Sequence, residues 1–229
     1  FETTTEHKGT PLHRANRIVM VTWTKVDGAV RTQTSKFGNE YDQAALVNDV
    51  NNADFIVAHN AKFELGWLSR CGVDLRSVVV FDTQIAEYVL GGNEYYLQQL
   101  SLNACLARRG LPQKTDLVAK MIKLGLPTQD YPESWMQRYC ERDVDAAEEL
   151  FLSQRESLRD TGLDKIMYQR CLVTPALADI EFNGLQLDEA QVDKLTNEVE
   201  DEYAAKSNAL MDFCEGAEPS STKKMRHFI

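Results

Sequence analysis

Apolar residues in the first 90 positions come in short runs separated by polar turns. The segment RIVMVTWTKVDGAVRTQT (17–34) has two stretches rich in β-branched residues around Asp27-Gly28. That dipeptide favours a tight type I′ turn, so the segment predicts a hairpin. Residues 41–52 carry Ala44, Ala45, Val47 and Val50 at helical spacing. FIVAH (55–59) and SVVVF (77–81) are short apolar runs of the kind that form buried strands. Between them, AKFELGWLSRCG puts Phe63, Trp67 and Cys71 on one helical face, with Asn60 as a candidate N-cap and Gly72 as the stop. Asp82-Thr83 is placed to cap a helix over QIAEYVL, which Gly91-Gly92 ends.

From about residue 97 the pattern becomes helical. SLNACLARRG opens with a Ser cap, and DLVAKMIKLG follows. PESWMQRYCERDVDAAEELFLSQRESLRD predicts a long helix headed by Pro132. After Gly162, LDKIMYQRCLVTPALADIEFNG predicts a second long helix, kinked near Pro175. Residues 190–213 show Val192, Leu195, Val199, Tyr203, Leu210 and Phe213 at helical spacing opposite a strongly acidic face. The expected fold class is α/β: a mixed β-sheet flanked by helices, followed by an all-helical C-terminal extension. Boundary signals lie near Gly162 and Gly184, and the expected domains are 1–160 and 161–229.

Composition narrows the reading. With 43% apolar and 26% charged residues in 229, the chain is globular rather than disordered or fibrous. No apolar run approaches the ~20 residues that span a bilayer, and the polar opening FETTTEHKGT is not a secretory signal. A membrane role is therefore not expected. Five cysteines, none in C-x-x-C spacing, read as free thiols in a reducing compartment. The net charge of −10 argues against a simple basic nucleic-acid groove. Most of that charge sits in residues 185–218, which hold ten acids and two bases.

Four strings carry candidate chemistry: Phe1-Glu2-Thr3-Thr4-Thr5, HNAKFELGWL after the first buried strand, FDTQIAEYVL after the second, and YCERD, which puts Tyr139 and Asp143 one turn apart on a helix. Singly, each has a plain structural reading. Asn60 and Asp82 serve as helix caps, Glu2 and Glu64 as solvated acids, Thr3 and Thr4 as strand-end caps, and Asp145 as a solvated helix residue. Together, in this order and spacing, they resemble the 3′→5′ proofreading exonucleases of the ribonuclease H-like fold, in the form carried by family A DNA polymerases. The resemblance covers roughly residues 1–155. Glu181, Gly184 and Asp188 further resemble the string that opens the polymerase domain, and STKKMRHFI resembles the segment leading to its thumb.

The resemblance implies hydrolysis of phosphodiesters at single-stranded or frayed DNA 3′ ends with two Mg²⁺ or Mn²⁺ ions. Two such ions, about 3.5–4 Å apart, activate water and stabilise the leaving oxygen, and hard oxygen ligands suit them. On that reading Glu2 and Asp143 bind one metal, Glu64 supports the second, and Tyr139 orients the attacking water. Thr3, Thr4, Asn60 and Leu12 meet the substrate. Two departures bear on activity. The Asp of the family's Asp-x-Glu motif falls one position before Phe1, and a chain starting at Phe1 is expected to bind metal poorly. Glu64 stands where the family usually has Asp, which predicts a weakened second-metal site. The implied partners are single-stranded DNA or a primer 3′ terminus and the remainder of a polymerase chain, in a cytoplasmic (bacterial or phage-infected) or organellar setting, acting as a monomer. A ribonuclease D-like or helicase-linked exonuclease, and a non-catalytic single-strand-binding domain, are the alternatives.

Overall fold

The computed structural model describes residues 1–4, 6–38, 43–92, 94, 99–114, 118, 120–121 and 124–213. Its strands are β1 (Glu2–Thr3), β2 (Ile18–Asp27), β3 (Val30–Phe37), β4 (Ile56–Ala58) and β5 (Val80–Asp82). Its α-helices are α1 (Gln43–Asn51), α2 (Ala61–Arg70), α3 (Thr83–Gly91), α4 (Leu102–Arg108), α5 (Glu133–Thr161), α6 (Asp164–Asn183) and α7 (Glu189–Phe213). The α/β class expected from the sequence is observed, and small sheets flanked by helices are consistent with a ribonuclease H-like fold.

The predicted hairpin forms as β2–β3, antiparallel from Met20↔Phe37 to Asp27↔Val30. Gly28 takes φ +60 in the turn, a conformation that costs glycine little. Val19, Met20 and Val21 are all buried, because the start of β2 is covered on both faces, whereas Val26 and Val30 near the tip are exposed. β1 pairs antiparallel with β2, and β4 pairs parallel with β5.

The single mixed sheet expected from the sequence is resolved as two: β1-β2-β3 and β4-β5. β1 has two residues and β4 and β5 three each, so their ladders are short. Helix packing joins the two sheets, since α5 lies against both β2 and β4. The second buried strand also starts later than its apolar run. Asp74 accepts the Arg76 N–H at 3.1 Å and caps a 3₁₀ turn over Leu75–Ser77, which takes up the beginning of the run.

Two buried clusters matter for the site. One gathers Val21, Leu65, Leu68, Val80 and Ala86 with Leu158, Met167, Cys171 and Ala178 from the last helices of the first unit. The other packs Val19 and Met20 against Tyr131, Met136 and Cys140. The chain divides into compact units Phe1–Asn183 and Gly184–Ile229. Helix α6, placed beyond the boundary at residue 160 by the sequence reading, thus packs within the first unit, and it runs unbroken through the buried Pro175. Gly162, at φ +68, separates α5 from α6.

Cys105, Cys140 and Cys171 are buried free thiols. Burial pushes the thiols of Cys105 and Cys171 up to about 11 and that of Cys140 up to about 12. No helix among the described residues is long and apolar enough to cross a membrane. Cys214 and STKKMRHFI lie outside the described residues, as does part of DLVAKMIKLG.

Candidate active site

The site begins at the end of the parallel pair. Asp82, the last residue of β5, is buried. Its carboxylate accepts the N–H groups of Gln84 and Ile85 at 2.8 and 3.4 Å, which caps α3 as predicted. It also accepts the N–H groups of Asn60 and Ala61 at 3.1 and 2.8 Å. The cap of α2 is therefore Asp82 and not Asn60. Asn60 holds φ +60, ψ 52 and makes no side-chain cap hydrogen bond. An amide side chain tolerates this left-handed conformation better than most. With the start of α2 fixed, Glu64 falls in its first turn, where the helix dipole favours an acid.

The other wall is α5. Its Met136–Cys140 face packs on Val19 and Met20 of β2, and the partly buried Tyr139 borders that cluster. Polar contacts fix the helix along the hairpin. Arg31 pairs with Asp145 and, at 2.9 Å, with Glu148, while Gln33 donates to Asp145 at 3.2 Å. Asp145, read from sequence as a solvated residue, is thus a docking contact. β1, which carries Glu2, pairs with β2 on the edge opposite β3, and Glu2 meets the charge of Asp143 from α5.

Two cations meet these acids. The α-ammonium of Phe1 lies 3.1 Å from Glu64 Oε2, so a residue preceding Phe1 would enter beside Glu64. Lys114 Nζ lies 2.8 Å from the Asp143 carboxylate and donates to Tyr139 Oη at 3.0 Å. The electrostatics of Glu2 tie these groups together. Burial pushes its carboxyl up to about 7; the Phe1 ammonium and Lys114 act to lower it, and Asp143 and Glu64 to raise it. Glu2 therefore meets the charge of both Glu64 and Asp143, although the three come from separate strings of sequence.

They do not form a ready ligand set. Among the described residues no group of three or more His, Cys, Asp or Glu side chains is arranged to hold a metal ion. Asp143 faces the Lys114 ammonium instead. The chemistry of the donor set nonetheless suits a hard divalent cation: three carboxylates and a phenol, with one carboxyl buried at an elevated proton affinity.

The remaining expected residues are distributed unevenly. Thr3 and Thr4 are buried. The Thr4 hydroxyl donates to Asn16 Oδ1 at 3.1 Å and accepts the Arg17 N–H at 3.0 Å, and Thr128 Oγ1 donates to the Thr3 carbonyl at 2.7 Å. Both threonines thus brace the end of β1. Leu12 is 53% exposed. His59 is structural: its Nε2 donates to the Leu100 carbonyl at 2.9 Å, its Nδ1 lies 2.9 Å from Thr83 Oγ1, and burial lowers its pKa. Sequence reasoning missed Lys114, which lies in the polar string PQKTD with no periodic signal around it. It also passed over Trp135, 53% exposed and one turn before Tyr139 on α5.

The sequence model of a family described as 3′-5′ exonuclease matches residues 4–159. Glu64, Lys114, Tyr139 and Asp143 fall inside that span, and Glu2 just before it. No curated protein matches the chain. The match covers well over half of the molecule and contains both walls of the acidic site, so the chain belongs to the 3′-5′ exonuclease family, in the branch found as the proofreading domain of family A DNA polymerases.

Proposed function

We propose that this chain removes nucleotides one at a time from single-stranded or frayed DNA 3′ ends, as the proofreading part of a family A DNA polymerase, with two Mg²⁺ or Mn²⁺ ions. The observation that supports the reading is that Glu2 meets the charge of both Glu64 and Asp143, while Lys114 ties Asp143 to Tyr139. Bound divalent ions supply the charge that activates water and stabilises the leaving 3′ oxygen. Glu2 and Asp143 would hold one ion, and Glu64 would support the other. Tyr139 Oη, projecting from the same helix face as Asp143, would orient the attacking water. Trp135, exposed and one turn before Tyr139 on α5, and Leu12, also exposed, would offer apolar surface for the terminal bases. An acidic site of this kind takes its positive charge from metal rather than from a basic groove.

The polymerase setting is supported by α7. Val192, Leu195, Val199, Tyr203 and Leu210 recur at helical spacing there, yet the helix buries none of its described residues. An apolar stripe of that length suits packing against further parts of a polymerase. On this reading the protein works as a monomer in the cytoplasm or an organelle, on a primer terminus.

The direct test is Mg²⁺-dependent shortening of a 5′-labelled single-stranded DNA. Asp143→Ala is expected to lower the rate by about 100-fold or more, as loss of a metal ligand does. Equal rates in parent and variant would overturn the assignment. An RNA oligonucleotide of the same sequence, degraded faster than the DNA, would favour the ribonuclease D-like reading instead.

A further inference from the structure

Lys114 is held in place more firmly than a chance surface lysine. Its backbone N–H donates to Asn103 Oδ1 at 3.0 Å, and Asn103 Nδ2 donates back to its carbonyl at 3.0 Å. The carboxamide of one residue thus pairs both backbone groups of the other, as a strand neighbour would. Two positions earlier, the Pro112 carbonyl accepts Arg142 Nη2 at 2.8 Å, which ties the same segment to α5 next to Asp143. The Lys114 side chain is only 13% exposed, and its ammonium also lies 4.7 Å from the centre of the Tyr139 ring. Ordering a lysine this fully costs rotamer freedom, which these contacts must offset.

We propose that Lys114 is a positioning residue of the exonuclease site: its ammonium is the resident countercharge of Asp143, holds Asp143 and Tyr139 in register before catalysis, and sets how tightly a divalent ion binds by opposing it at that carboxylate. The proposal rests on the reading of Asp143 as a metal ligand. The physical basis is direct competition. A carboxylate within 2.8 Å of an ammonium gives part of its field to that partner, and a second cation arriving there meets both the occupied oxygen and a like charge. Lys114 acts on Glu2 as well, so its charge reaches both acids assigned to the same ion.

The test is Mn²⁺ binding to the full chain without DNA, read from the electron paramagnetic resonance signal of free Mn²⁺. Lys114→Met keeps the length of the side chain and removes the charge; it is expected to bind Mn²⁺ about tenfold tighter. Lys114→Arg keeps the charge and is expected to stay near the parent. Lys114→Gln replaces Lys114→Met if circular dichroism shows that the latter is unfolded. A purely structural lysine predicts the opposite sign, since loosening Asp143 would weaken the metal. Unchanged or weaker binding in the neutral variant, or Lys114→Arg behaving like it, overturns the proposal. Asp143→Asn separates the two layers. If it abolishes tight binding while Lys114→Met leaves affinity unchanged, only the role of Lys114 fails. If it leaves binding undiminished, the metal role of Asp143 fails and this proposal with it.

Discussion

The Asp82 carboxylate accepts the N–H of Ala61, 21 residues earlier in the chain, at 2.8 Å. One side chain thereby starts two helices, α2 and α3, from the paired ends of β4 and β5. Asp82→Ala would leave buried N–H groups at both helix starts without their acceptor. The expected loss of stability is about 3 kcal/mol, the sum of two caps in a buried setting. Urea unfolding would measure it, and a midpoint within error of the parent would contradict the shared cap. Because Glu64 rides on the first turn of α2, Asp82 also sets where that acid stands.

Glu87 offers a pH-dependent counterpart. It is buried on α3, and its carboxylate pairs with Arg108 at 2.9 Å and Arg109 at 2.8 Å and accepts Gln154 Nε2 at 2.8 Å. Burial alone would raise its pKa, but the hydrogen bonds from Gln154, Arg109 and Arg108 outweigh that and hold it below the ordinary glutamate value of 4.5. A depressed acid stabilises the fold above its unfolded value, and this term is lost as pH falls from about 4.5 through the lower folded value. Glu87→Gln is expected to cost about 3 kcal/mol near neutral pH, because it breaks a buried ion pair from one side. In urea titrations run from pH 6 downward, the gap between parent and variant should narrow below pH 4.5. A gap that widens there would refute the network.

Trp135 lies four residues before Tyr139 on α5, so the two side chains project from one helix face. Stacking of a base on an aromatic ring contributes about 1–3 kcal/mol. Trp135→Ala is therefore expected to raise KM for single-stranded DNA about tenfold, with a much smaller effect on kcat. The comparison of steady-state constants decides it, and an unchanged KM would remove Trp135 from the substrate path.

Much of the fold is legible in the sequence. Asp27-Gly28 marks the hairpin because a two-residue turn needs a residue that accepts positive φ, and Gly28 does so. Pro132 and Gly162 bracket α5 at its observed ends. Less legible is any feature in which a polar side chain serves a distant partner. Asn60 has the composition of an N-cap and stands at the N-cap position, yet Asp82 takes that role from across the parallel pair. Asp145 has the spacing of a solvated residue, yet Arg31 draws it onto β3. SVVVF is apolar throughout, but the local cap by Asp74 moves the strand toward Asp82.

The α/β class, the positions of the hairpin and long helices, and the placing of Tyr139 and Asp143 on one face all follow from local sequence. Those features depend on periodicity and turn chemistry, which act over a few residues. It took long-range packing to bring Glu2 within the charge of Glu64 and Asp143, to let Asp82 cap two helices, and to stand Lys114 against Asp143. These relations join residues 21 to 141 positions apart. Packing of α5 on β2 and the anchoring of the Lys114 segment by Asn103 and Arg142 bring them together, and no local pattern records which distant partner a charged side chain will meet.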